Sequence, residues 1–109
     1  MDATGGLWQS GKLVGKTAGV FQSTGTMQGG QETVAMNCMS FFAHQGMVFI
    51  PLGYTYPQAF SYEEIHGASP WGSGTYAGPD GSRQHTSMEL SIAENHGKHF
   101  ANLTTKLSA

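Results

Sequence analysis

Val20-Phe21-Gln22-Ser23-Thr24-Gly25-Thr26-Met27-Gln28-Gly29-Gly30-Gln31-Glu32 is the stretch from which the fold is read. An apolar, β-type run enters a Thr/Gly-rich turn, and the turn opens into a helical pattern. Strand, loop and helix in this order put free backbone N–H groups at the carboxyl end of a strand. Ligands of open α/β sheets sit there, and a helix N-terminus favours an electron-rich or anionic group. The turn lacks the lysine of a GxxxxGK[ST] phosphate loop and does not fit GxGxxG. It suits a flat ligand with a polar edge better than a triphosphate. A plain strand–helix connector is the alternative.

Around this stretch the chain alternates in period. Met1 to Gly11 is a short lead carrying Gly5-Gly6 and Trp8. Lys16 to Ser23 is predicted as a buried parallel strand, with Thr17, Val20 and Phe21 as strand formers. Gln31 to Gln45 is predicted as a helix with Val34, Cys38, Phe41 and Phe42 on one face, and Gly46 as its left-handed C-terminal residue. Met47 to Leu52 is predicted as a second buried strand, parallel to the first and beside it. Gly53 to His85 has no sustained period and carries Tyr54, Tyr56, Phe60, Tyr62, Trp71 and Tyr76. Connections this long inside a compact domain are often functional; the aromatics either line a pocket, meet another subunit, or pin the loop on itself. Thr86-Ser87-Met88-Glu89 is a capping box. It opens a last helix whose stripe is Met88, Ile92, His96, Phe100, Leu103 and Leu107. Strand, helix, strand, long loop, helix is half of a doubly wound parallel α/β fold.

Composition narrows the function classes. A chain of 109 residues is one domain at most. Charged residues make up 11%, against about 25% in an average globular chain, so like-charge repulsion is weak. That points to a subunit burying surface in an oligomer, or to a fragment lacking its partner. The net charge is −2. Lys12, Lys16, Arg83, Lys98 and Lys106 are scattered, which excludes a phosphate-neutralising patch and argues against nucleic acid. Cys38 is the single cysteine, so no internal disulfide forms and a reducing compartment fits. It reads as a small buried side chain rather than a redox thiol. No run reaches the ~20 apolar residues of a transmembrane helix. The opening Met1-Asp2-Ala3-Thr4 has no secretion-signal character, so a cytoplasmic location is expected and Asn102-Leu103-Thr104 is a chance sequon.

Several words occur in one order: Asp2-Ala3-Thr4-Gly5-Gly6-Leu7-Trp8, Ser23-Thr24-Gly25-Thr26, Gly29-Gly30-Gln31-Glu32, Ala43-His44-Gln45-Gly46-Met47, Pro51-Leu52-Gly53-Tyr54, Trp71-Gly72 and Asp80-Gly81-Ser82-Arg83-Gln84. Together they resemble the WrbA-like flavodoxin-fold NAD(P)H:quinone oxidoreductases. The resemblance runs over nearly the whole chain but covers the second half of the family's length. It implies that residues 1–109 form the C-terminal part of a single flavodoxin-like domain. The family's FMN phosphate loop and the flavin loop after its third strand have no counterpart in this sequence.

The resemblance also assigns roles. Ser23, Thr24, Gly25, Thr26, Met27, Gln28 and Gly29 match the loop along the flavin ring. Their N–H groups would stabilise negative charge as the flavin is reduced. Trp8 matches the wall of the quinone site, and Tyr54 an aromatic at the same mouth. His44 matches a histidine beside the flavin, suited to proton donation; read without the family it is a histidine at a helix C-terminus. The implied function is FMN-dependent, two-electron quinone reduction by NAD(P)H in a homo-oligomer, tetrameric in the family. A non-catalytic flavodoxin-like scaffold or interaction subunit is the alternative. Two departures stand out. Gln45 replaces a frequent second histidine, and His85 replaces a frequent proline. His96 and His99 share a helix face, but no third ligand sits at metal-site spacing and no metal is expected. Arg83 reads as a partner for a carboxylate or carbonyl rather than for a ligand anion.

Overall fold

The structure is a computed structural model, and it describes residues 2–27 and 29–108. Met1, Gln28 and Ala109 lie outside the described residues, so the expected contact of Gln28 does too. The described chain is mixed α/β. Helix α1 spans Gly5–Ser10, strand β1 Thr17–Ala18, β2 Gln22–Thr24, helix α2 Gln31–Gln45, β3 Val48–Phe49, β4 Gly74–Tyr76 and helix α3 Ser87–Ser108, with short 3₁₀ turns at Asp2–Thr4 and Pro57–Phe60.

Thr17 pairs with Val48 and Ala18 with Phe49, in parallel. The expected strand–helix–strand unit is therefore present, with α2 as its crossover. The expected strand at Lys16 to Ser23, however, divides its pairing. Its second part, β2, runs parallel to β4, with Gln22 opposite Gly74 and Thr24 opposite Tyr76. Backbone groups of successive residues in a strand point to opposite edges. Lys16, Ala18, Gln22 and Thr24, all even-numbered, carry the bonds from Val48 N (2.8 Å), Ile50 N (2.8 Å), to Ser73 O (3.2 Å) and from Ala77 N (2.8 Å). One edge of one strand thus serves two partners in succession, and residues 53–72 form an excursion inserted between them. The excursion rejoins tightly. A Cβ on Gly72 would lie 1.9 Å from the Val20 carbonyl oxygen, so only glycine allows β4 to approach there.

The opposite edge behaves differently. Gly19 and Phe21 have no backbone hydrogen-bond partner among the described residues, and Phe21 is 84% exposed.

Side chains alternate across the same strand. Thr17 hydrogen-bonds Thr104 of α3 and Gly19 lies against Phe100, whereas Gln22 and Thr24 reach Gln31 of α2. Helices α2 and α3 therefore cover opposite faces, as a doubly wound sheet requires. The core is thin. Leu52, Ala59 and Ile92 form its centre, with Tyr56, Phe60, Ala68 and Met88 packed around them. Radius of gyration, 15.2 Å, exceeds the ~13 Å of a compact chain this long.

Several sequence readings need correction, the expected burial of the first strand at Phe21 among them. Residues 5–10 form a helix, although two glycines weaken it. Strand β4 lies in the segment read as structureless, because a three-residue strand leaves no period. On α2, the buried residues are Gln31, Ala35 and Gln45, while Val34 is exposed; Gln31 is bonded at both ends of its amide, whereas Gln45 reaches Thr4 through Nε2 and its Oε1 has no partner among the described residues. Gly46 does end α2 in the left-handed conformation, with φ 74°. In the last helix Ile92 and His96 are buried, whereas Leu107 is exposed.

Candidate functional site

The loop between β2 and α2 presents donors. Its carbonyls are taken: Thr24 O by Ala77 N (2.8 Å), Gly25 O by Gly78 N (2.8 Å), and Thr26 O by Gly29 N at 3.2 Å and by the Thr24 hydroxyl at 2.7 Å. The N–H groups of Gly25, Thr26 and Met27 find no partner among the described residues. Helix α2 follows with Gly30 before it, and no side chain caps its first turn. Free amides of the loop and of the helix N-terminus therefore stand at the carboxyl end of β2. Such an array stabilises an electron-rich edge. The stretch 23–32 carries Glu32 and no lysine or arginine, so a phosphate finds no cation in it.

Two buried polar side chains hold this end of the sheet. Gln31 donates from Nε2 to Thr24 Oγ1 (3.1 Å) and to the Thr75 carbonyl (2.8 Å), and its Oε1 accepts from Ala68 N (3.0 Å). Glu89 accepts from Gly67 N at Oε2 (2.8 Å). At Oε1 it accepts from Thr75 Oγ1 (2.8 Å), Arg83 (3.1 Å) and Thr86 N (2.9 Å). Burial raises the Glu89 pKa, but the donors from Gly67, Thr86, Arg83 and Thr75 outweigh it and hold the carboxyl below the ordinary glutamate value. The capping box is present, since Glu89 N also donates to Thr86 Oγ1 at 3.1 Å. Arg83 stacks 3.7 Å over the Tyr76 ring while pairing Glu89, the carboxylate partner expected for it. Nothing in the sequence marks Gln31, since a glutamine beginning a helix has no pattern of its own.

Trp8 and His44 meet at the other end of α2. With Asp2, Thr4, Gly5, Phe41 and Gln45 they line an open cleft of about 330 Å³. Trp8 is 59% exposed. His44 Nδ1 lies 2.7 Å from the Ser40 carbonyl, which only accepts, so Nδ1 carries a proton and Nε2 is the outward nitrogen. Gln31 and His44 are about thirteen helical steps apart, or about 20 Å at 1.5 Å each. The structure therefore joins Trp8 to His44 and separates both from the donor loop. Tyr54 is exposed and packs on Phe60, with ring centroids 4.5 Å apart; it does not line the Trp8 cleft.

The remaining candidates are structural. His96 is buried. Its Nδ1 takes Ser73 N at 3.3 Å, and Ser73 Oγ lies 3.1 Å away. Burial chiefly lowers its pKa, opposed by the Ile50 carbonyl and helped by His99, so it is a neutral packing histidine. Among the described residues no three His, Cys, Asp or Glu side chains group to hold a metal, and no helix is long and apolar enough to cross a membrane. Cys38 is half-buried and free.

No family model matches the chain. Individual proteins do. Residue identity is 52% over 105 residues with NAD(P)H quinone oxidoreductase PST2 of Candida albicans, covering 96% of this chain and 52% of that protein. It is 49% over 107 residues with quinone-oxidoreductase QR2 of Triphysaria versicolor, covering 97% and 52%. It is 50% over 107 residues with protoplast secreted protein 2 of Saccharomyces cerevisiae, covering 96% and 54%. Identity at this level along nearly the whole chain establishes homology to proteins of the quinone oxidoreductase group. The chain spans about half the length of these curated relatives.

Proposed function

We propose that this homologue of the NAD(P)H quinone oxidoreductases is the C-terminal part of a flavodoxin-like domain that works with FMN in two-electron quinone reduction by NAD(P)H. The observation that carries the reading is the run of N–H groups at Gly25, Thr26 and Met27 that have no partner among the described residues. That donor set fits the electron-rich edge of a flavin ring. When bound, a flavin supplies two-electron transfer between a nicotinamide and a quinone.

The chain's own residues divide the remaining work. Ser23 to Gly29 hold the polar edge of the ring and stabilise negative charge there. Trp8 gives a flat quinone an aromatic wall, and Tyr54 adds a second exposed ring. His44, with Nδ1 bound to Ser40, accepts a proton at Nε2 and delivers it from there to a quinone oxygen. The donor loop and the His44 cleft lie about 20 Å apart on one α2. One ligand touches both only if they come from different copies, so the working form is a homo-oligomer. The single cysteine fits a cytoplasmic location. On this reading the FMN phosphate is held by the half of the relatives' chain that this sequence does not match.

The test joins this chain with the complementary half of a relative, by co-expression. The product should turn yellow and reduce benzoquinone with NADH or NADPH. The 109-residue chain alone should hold FMN more weakly than about 1 µM, and no tighter than riboflavin. FMN binding without quinone reduction by either nicotinamide would replace the enzyme with a scaffold.

A further inference from the structure

We propose that Gln31 is the positioning residue of the donor loop and acts through Thr24. The hydrogen bonds run in one direction. Ala68 N–H can only donate, so it fixes Oε1 of Gln31; the Thr75 carbonyl can only accept, so it fixes Nε2. The amide therefore has one orientation. Its second Nε2 proton goes to Thr24 Oγ1 at 3.1 Å. That hydroxyl, its lone pair taken, turns its own proton to the Thr26 carbonyl at 2.7 Å. Chained donors of this kind strengthen one another.

The consequence is directional. With the Thr26 carbonyl tied to Thr24 Oγ1 and to Gly29 N, the N–H groups of Gly25, Thr26 and Met27 have no partner among the described residues. Without the Thr24 hydroxyl that carbonyl keeps only the longer bond from Gly29 N at 3.2 Å, and breaking this one bond lets it rotate outward and place an acceptor where the ligand edge needs donors. Gln31 also ties the loop to two other segments, β4 at Thr75 and the end of the excursion at Ala68. It is 9% exposed, so water competes poorly for its amide. Gln31 touches no ligand in this account; it acts by fixing the loop. The part concerning ligand affinity rests on the flavin reading above, whereas loop order does not.

The experiment uses the whole chain, ¹⁵N-labelled, in three variants. Thr24→Val keeps the shape and removes the hydroxyl; Gln31→Met keeps the length and removes the amide; Thr24→Ser restores the hydroxyl. The first readout is the heteronuclear NOE of the Gly25, Thr26 and Met27 amides, with Ala35 in α2 as internal control. It should fall in Thr24→Val and Gln31→Met, stay at the parent value in Thr24→Ser, and not change at Ala35. Unchanged loop values in Thr24→Val overturn the proposal, even if Gln31→Met fails to fold. The second readout is riboflavin affinity by fluorescence quenching. It should drop at least fivefold in Thr24→Val and recover in Thr24→Ser. A disordered loop with unchanged riboflavin affinity overturns the positioning role. A loop that responds as expected in a parent chain with no affinity for riboflavin or FMN sinks the flavin reading and upholds Gln31 as the residue that sets the loop.

Discussion

Glu89→Gln exchanges one carboxylate oxygen for an amide nitrogen and tests the clasp that holds the excursion to α3. The amide oxygen can take the place of Oε1 and keep Thr75, Arg83 and Thr86. The new NH₂ group then faces Gly67 N–H, which is 2.8 Å from Oε2 in the parent. Two donors meet, and a buried N–H is left unpaired at a cost of about 1–3 kcal/mol. The surviving bonds also lose their charge assistance, about 1 kcal/mol more. A total of about 2–4 kcal/mol corresponds to a fall in Tm of roughly 10–20 °C for a chain this size. Circular-dichroism melts at pH 7 measure it. The pH dependence has a definite sign. The folded-state pKa of Glu89 is lowered, so its contribution is complete above the ordinary carboxylate range and fades as pH falls below about 4. Parent and variant melting temperatures should therefore converge toward pH 3. A variant within about 3 °C of the parent at pH 7, or a gap that persists into acid, refutes the account of this clasp.

Phe21→Lys should weaken self-association about 10–100-fold by sedimentation equilibrium, because a large exposed ring leaves an unpaired strand edge and a charge replaces it; a parent chain already monomeric at high concentration, or an unchanged constant, removes that edge from the interface. In the reconstituted protein, Trp8→Ala should raise the quinone KM several-fold more than it lowers kcat, since a wall contributes mainly to binding; an equal loss in both, read from steady-state kinetics, would place Trp8 in the chemistry instead.

The strand–turn–helix at the donor loop was legible because each part has a local signal. The turn is dense in glycine and threonine, and α2 closes with Gly46 in the left-handed conformation. The capping box at Thr86 was legible for the same reason, its two bonds lying three residues apart. The division of one strand between β3 and β4 was not. It depends on where Gly72 meets Val20, a contact between segments far apart in sequence. Strand β4 has three residues, Gly74 to Tyr76, too few for a period of two to show. Gln31 and Glu89 differ instructively. Glu89 is legible through its local capping role alone; its bonds to Gly67 and Thr75, like those of Gln31 to Thr75 and Ala68, are nonlocal and leave no mark in composition.

The placement of the site halves follows from the parallel fold. In a strand–helix–strand unit, the helix starts at the carboxyl ends of the strands and finishes at their amino ends. Residues at its first and last turns are therefore held apart by its whole length. The donor loop precedes Gln31 and His44 stands in the last turn of α2, so no loop motion within one copy brings them together while α2 stays helical. On the proposed reading, catalysis requires an assembly, and two other features of the chain point the same way. Low charge removes the repulsion that would oppose association. The edge at Gly19 and Phe21 offers backbone unpaired among the described residues and an exposed ring. That edge and the Trp8–His44 cleft belong to different parts of the surface, the first at the sheet and the second at the end of α2. Covering the edge completes the sheet, whereas completing the site needs a contact at the cleft. The two associations are separable, and Phe21→Lys should disturb the first while leaving the second to Trp8 and His44.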